Sequence, residues 1–106
     1  MTATTEYNVN REKLKKAALI LKTVAHPTRL AIIELLNYDN RLSVNEIGEI
    51  LEVEQSLLSH HLTTMKVNGI LRSEKEGQSV FYSLKEKDVT KLLACIENCD
   101  CNMNAI

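Results

Sequence analysis

The chain has no tryptophan, one phenylalanine and three tyrosines among 106 residues, so aromatic side chains make up only 4% of it. A single domain of this length has a small core. The 44% of residues that are apolar must therefore fill it by aliphatic packing, and a second copy of the chain would help to cover what is left. Glycine occurs only at 48, 69 and 77, too scattered for a loop that cradles a phosphate, and no nucleophile stands with a base and an orienting group. Catalysis is not expected. No apolar run approaches the roughly 18 residues of a membrane span. Residues 1–10 are polar and lack an apolar signal core, which makes the cytoplasm the expected location and a membrane partner unexpected. Positive charge is not in excess either: 13 Lys and Arg against 14 Asp and Glu leave a formal net charge of −1, which counts against nucleic-acid binding by charge alone.

What is present is pattern. In Gln55-Ser56-Leu57-Leu58-Ser59-His60-His61-Leu62, the residues Leu58 and Leu62 continue to Met65 and Gly69 at the i, i+4, i+7 spacing of a buried helical stripe. Ser56, Ser59, His60 and Thr63 share another face, small and rich in hydrogen-bonding groups. Taken alone this is also what a solvated helix face looks like, but such a helix fits a major groove roughly 12 Å wide and can meet base edges or phosphates there. The flanks favour the groove. Ser43-Val44-Asn45-Glu46 spells a capping box, followed by Ile47, Ile50 and Leu51 as an apolar stripe. That short helix must end near 51–53, and a turn then leads to Gln55, the layout of a helix-turn-helix. Asn68-Gly69 stops the second helix. The period then falls to two. Leu71, Ser73 and Lys75 alternate with Arg72 and Glu74, and Val80, Tyr82 and Leu84 with Phe81 and Ser83, around a reversal at Glu76-Gly77-Gln78. This predicts a hairpin wing that brings Lys75, Gln78 and Ser79 to the DNA backbone or minor groove.

Three further helices complete the expectation. Residues 11–24 carry lysines on a wet face and Leu14, Ala17, Ala18, Leu21 and Val24 on a dry one. Pro27 suits a first helical turn, and Leu30, Ile33 and Leu36 after it predict the central core helix. A last helix, about 86–98, has Val89, Leu92, Leu93 and Ile96 as its stripe. The predicted fold is mainly α with a small β-hairpin: a winged helix-turn-helix of about five helices plus a two-stranded wing. Residues 1–10 form a flexible N-terminal tail, 11–99 the DNA-binding domain and 100–106 a C-terminal tail. Glu46, Glu49, Glu52 and Glu54 crowd the first helix of the motif, so phosphate contact should be modest.

Four stretches carry a resemblance over most of the chain: Ala25-His26-Pro27-Thr28-Arg29-Leu30, Gln55-Ser56 through Ser59-His60-His61-Leu62, Asn68-Gly69-Ile70-Leu71, and Gly77 through Leu84. Each is weak alone; together and in this order they resemble the ArsR/SmtB family of bacterial metal- and stress-responsive repressors. The resemblance implies a homodimer paired through its first and last helices, bound to a pseudo-palindromic operator and released by an inducer. It also implies that Gln55, Ser56, Ser59 and His60 stand where family members contact the major groove. His61, beside the core stripe, reads instead as a hydrogen-bonded structural residue. The rival reading is a winged-helix protein-interaction module without DNA binding, in which Ser56, Ser59, His60 and Thr63 would be covered, whereas a DNA reader would leave them open beside a positive rim.

All three cysteines, Cys95, Cys99 and Cys101, fall in one C-terminal stretch. On a helical wheel Cys95, Cys99 and Asp88 share one edge of the last stripe. Thiolates are soft donors for Zn²⁺, Cd²⁺, Cu(I) or trivalent arsenic; three without histidine suit arsenite best, and a fourth ligand from a partner would make a tetrahedral zinc site. Some family members are similar in placing inducer cysteines at this end. Others use a carboxylate and histidines here: Glu86 and Asp88 resemble the first ligand pair, but Cys99 and Asn102 stand where histidine is usual. The family's Cys-x-Cys cluster is absent from residues 46–53. Closure of a disulfide or polysulfide bridge as a redox or reactive-sulfur sensor, and inert packing of Cys95 as a small apolar residue, are the alternatives.

Overall fold

The computed structural model describes residues 7–99; the expectations on residues 1–6 and 100–106, including Cys101, lie outside the described residues. Five helices and three strands follow in the order α1 (Arg11–Val24), α2 (Pro27–Asp39), β1 (Leu42–Ser43), α3 (Val44–Leu51), α4 (Gln55–Val67), β2 (Leu71–Glu76), β3 (Ser79–Leu84) and α5 (Asp88–Glu97). This is the expected winged helix-turn-helix with one addition. The sheet has three antiparallel strands in the order β1-β3-β2, with Leu42 opposite Tyr82 and Ser43 opposite Phe81. Two residues are too short to show alternation, so β1 leaves no period-two signal.

Local chemistry sets the helix ends. The Asn10 side chain accepts from Lys13 N at 3.1 Å, so the residue assigned to the tail caps α1. His26 Nδ1 accepts from Thr28 N at 3.1 Å, and Pro27 at the first position needs no partner for the donor it lacks. Both bonds of the Ser43–Glu46 capping box are present, at 2.8 and 3.1 Å. α4 ends in a Schellman motif: Gly69, at φ +82°, donates to Lys66 O, and Ile70 N donates to Met65 O at 2.8 Å. In the wing, Gly77 at φ +63° opens a two-residue turn between paired Glu76 and Ser79, tighter than the three-residue reversal expected.

The core lies where α2, α3, α4 and the sheet meet. Ile32, Ile33 and Leu36 of α2, Ile47 of α3, and Leu58, Leu62 and Met65 of α4 are completely or almost completely buried, and Leu71 and Tyr82 close the sheet side. The two outer helices are different. α5 buries no residue, α1 buries only Thr23 and Val24, and Leu14, Leu21 and Ile96 remain 56%, 48% and 58% exposed.

Candidate nucleic-acid interface

α4 begins at a carboxylate. Glu54 is the N-cap; its side chain accepts from Leu57 N at 2.9 Å and from the Ser56 hydroxyl at 2.7 Å, which holds its pKa below the usual 4.5. Glutamate is a weak sequence signal for a cap, so this role was missed. As a consequence, the Ser56 hydroxyl donates within the protein rather than outward.

Leu58, His61, Leu62 and Met65 face inward, while Gln55, Ser56, Ser59, His60 and Thr63 are exposed. A cleft of about 330 Å³ opens between the start of α3, the first turns of α4 and the wing. Gln55, Ser59, Gln78 and Ser79 line it together with Asn45, a residue that sequence reasoning passed over. His60 and Thr63 lie farther along the open face, and Lys75 on the exposed outer part of β2; none of the three lines the cleft.

A polar link holds α4 in place from behind. Arg29 Nε donates to His61 Nδ1 at 3.0 Å, and Arg29 Nη1 donates to the Thr23 carbonyl at 2.9 Å. Asn68 Nδ2 donates to Thr23 Oγ1 at 3.0 Å, and that hydroxyl donates to Leu19 O. The joint between α1 and α2 is thus tied to the middle and to the end of α4. Because a guanidinium only donates, Nδ1 of His61 must be unprotonated, so the neutral ring carries its proton on Nε2. Among the described residues that nitrogen is buried without a hydrogen-bond partner, and the His26 ring lies 4.5 Å away, centroid to centroid.

The cysteine expectations divide. Cys95 lies on α5 and is exposed, but the helix ends at Glu97, so Cys99 falls beyond it and the shared helix edge does not extend that far. Asp88 pairs with Lys91 at 3.5 Å. Among the described residues no three His, Cys, Asp or Glu gather as a metal site.

A helix-turn-helix whose second helix has one locked and one open face, followed by a hairpin, defines a winged helix-turn-helix transcription regulator. Residues 26–73 match the model of the bacterial regulatory protein, arsR family. The transcriptional activator HlyU of Vibrio cholerae is 38% identical over 84% of this chain and 82% of its own; its solved structure matches with a TM-score of 0.76 at 35% identity, covering 88% and 100%. The transcriptional repressor PagR of Bacillus anthracis is 34% identical over 92% of this chain and all of PagR, and a cadmium resistance regulatory protein CadC homologue of Staphylococcus aureus 34% over 83% and 78%. The homodimeric winged helix-turn-helix DNA-binding domain of Mb0332 from Mycobacterium bovis matches with a TM-score of 0.72 at 25% identity, covering 85% and 84%. The chain belongs to the ArsR/SmtB family and is a DNA-binding transcriptional regulator. No helix among the described residues is long and apolar enough to cross a membrane.

Burial first, then the nearby cationic or protonatable His26, Arg29 and His60, holds the His61 pKa below its ordinary 6.5. A histidine whose folded pKa lies below its unfolded one stabilises the fold fully above the unfolded value, and this contribution is lost as pH falls beneath about 6.5. Glu46 and Glu54, both lowered from 4.5, lose theirs only in a separate window below that value. Urea unfolding of the wild type should therefore weaken in two steps on acidification, and His61→Gln, which keeps an acceptor for Arg29, should remove the upper one. A wild-type profile flat from about pH 7 to 5 would contradict the neutral His61.

Proposed function

We propose that the chain acts in the cytoplasm as a homodimeric repressor on a pseudo-palindromic operator, without catalysing a reaction. Each subunit lays α4 in a major groove and its wing tip, Lys75, Gln78 and Ser79, against the neighbouring backbone. The observation that carries this reading is the open row of Ser59, His60 and Thr63 on a helix whose other face is fixed in the core, in a chain that belongs to a family of DNA-binding regulators. Ser56 contributes through its lone pairs unless it gives up Glu54. The apolar faces of α1 and α5, exposed in one copy, are the subunit interface, in keeping with the homodimeric relative from Mycobacterium bovis. PagR is named a repressor and HlyU an activator. Repression requires only that a dimer cover promoter DNA, whereas activation requires a further protein contact, so the simpler reading is adopted.

The inducer is assigned to thiophilic metal or metalloid ions such as arsenite, Zn²⁺ or Cd²⁺. Exposed Cys95 and Cys99 would supply two donors and Cys101 a third, and the relative named for cadmium resistance supports the class. Asp88 is the weakest of the four candidates, because it already faces Lys91 at 3.5 Å. Occupancy would favour a dimer whose α4 helices no longer match successive grooves, with coupling of about 1 to 3 kcal/mol.

The test of the reading helix uses a duplex that the wild type selects from a random-sequence library. Ser59→Ala and His60→Ala should each weaken its binding by roughly 1 to 3 kcal/mol per subunit while the protein stays folded. Unchanged affinity in both variants removes α4 as the reader. For the switch, the Cys95→Ser, Cys99→Ser double variant should bind this duplex normally yet no longer leave it on addition of arsenite, Zn²⁺ or Cd²⁺, since serine offers no soft thiolate. Release equal to that of the wild type places sensing elsewhere, and wild-type release by peroxide but by none of the ions assigns the thiols to redox chemistry.

A further inference from the structure

Arg41 lies between α2 and β1 and reaches across one face of the sheet. Its guanidinium carbon sits 3.9 Å from the centroid of the Phe81 ring on the middle strand β3. Beyond the ring, Nε lies 3.5 Å from Glu74 Oε1 and Nη2 lies 2.6 Å from Glu76 Oε2, both on the far strand β2. The register explains the reach: Glu74 pairs with Phe81, Phe81 pairs with Ser43, and Glu76 pairs with Ser79 beside the Gly77-Gln78 turn, so these side chains share the outward face.

An exposed ion pair adds little to stability, and the three side chains are 37%, 65% and 63% exposed. Position gives the arrangement its consequence. Glu74 and Glu76 flank Lys75 and precede Gln78 and Ser79, the residues assigned to the DNA backbone. Two carboxylates there would repel phosphate.

Resting on the DNA-binding reading above, we infer that Arg41 is a positioning residue for the wing: it offsets one of the two negative charges of Glu74 and Glu76 and ties β2 to β1 across Phe81, so that the tip can approach the DNA backbone. Arg41 itself makes no DNA contact in this role. The guanidinium suits it, because its plane stacks on a ring while its edge meets carboxylates, which an ammonium cannot do at once.

The test uses the full-length protein and the duplex selected by the wild type. Arg41→Gln should lower affinity about tenfold at low salt, and the deficit should shrink as salt screens the exposed carboxylates. Adding Glu74→Gln and Glu76→Gln to that variant should restore affinity to within about twofold of wild type, and the pair of glutamine substitutions with Arg41 intact should bind at least as tightly as wild type. Failure of the triple variant to recover, with a salt slope reduced by about one charge, would mean that Arg41 touches phosphate itself and would overturn the role. So would a loss of melting temperature in Arg41→Gln without loss of affinity, or weaker binding by the pair of glutamine substitutions alone, a result readable even if the Arg41 variant does not fold. A wild type that enriches no duplex overturns the DNA reading and this role with it, whereas a wild type that binds while Arg41→Gln binds equally overturns this role alone.

Discussion

Arg29 adds to the apolar packing of α4 a directional hydrogen bond that sets which face of the helix is buried. Leu58, Leu62 and Met65 give α4 a buried stripe, a contact without direction. The bond from Arg29 to His61, with the Asn68–Thr23 bond at the other end, adds directional constraints. A rotation that exposed His61 would leave the Nε–H of Arg29 without its acceptor in a partly buried place. Locking His61 inward leaves Ser59, His60 and Thr63 outward. The same guanidinium, through its bond to the Thr23 carbonyl, ties the orientation of α4 to the end of α1, one of the two helices with an uncovered apolar face.

A DNA-binding protein of net charge −1 must manage its carboxylates. Several are occupied. Glu46 and Glu54 sit at the N-termini of α3 and α4, where backbone N–H groups and the helix dipole favour negative charge. Glu74 and Glu76 are held by Arg41, and Asp88 by Lys91. The acidic crowding along residues 46–54 is therefore partly helix capping rather than a field turned against phosphate.

Features with a local signature were legible in the sequence. The Ser43–Glu46 box, the Asn68-Gly69 stop, Pro27 at a first turn and the alternation of the wing each depend on residues a few positions apart, and each element formed where that chemistry put it. What was missed depends on distance or on an atypical residue. Arg29 and His61 are 32 positions apart, and Arg41 meets Glu74 and Glu76 only because β1 joins the sheet. Glu52 closes α3 in the left-handed region at φ 54°, where glycine or asparagine would have announced the end. The wheel that grouped Cys99 with Cys95 assumed a helix running past Glu97, where the chain leaves it.

In the proposed complex, two α4 helices related by a two-fold axis lie in successive major grooves. Hydroxyl-radical footprinting of the wild type on its selected duplex measures that arrangement directly. Two protected segments, with centres about one helical turn, roughly 34 to 36 Å, or a multiple of it apart, are the predicted result. Protection of a single half-site, or none along the duplex, would contradict it.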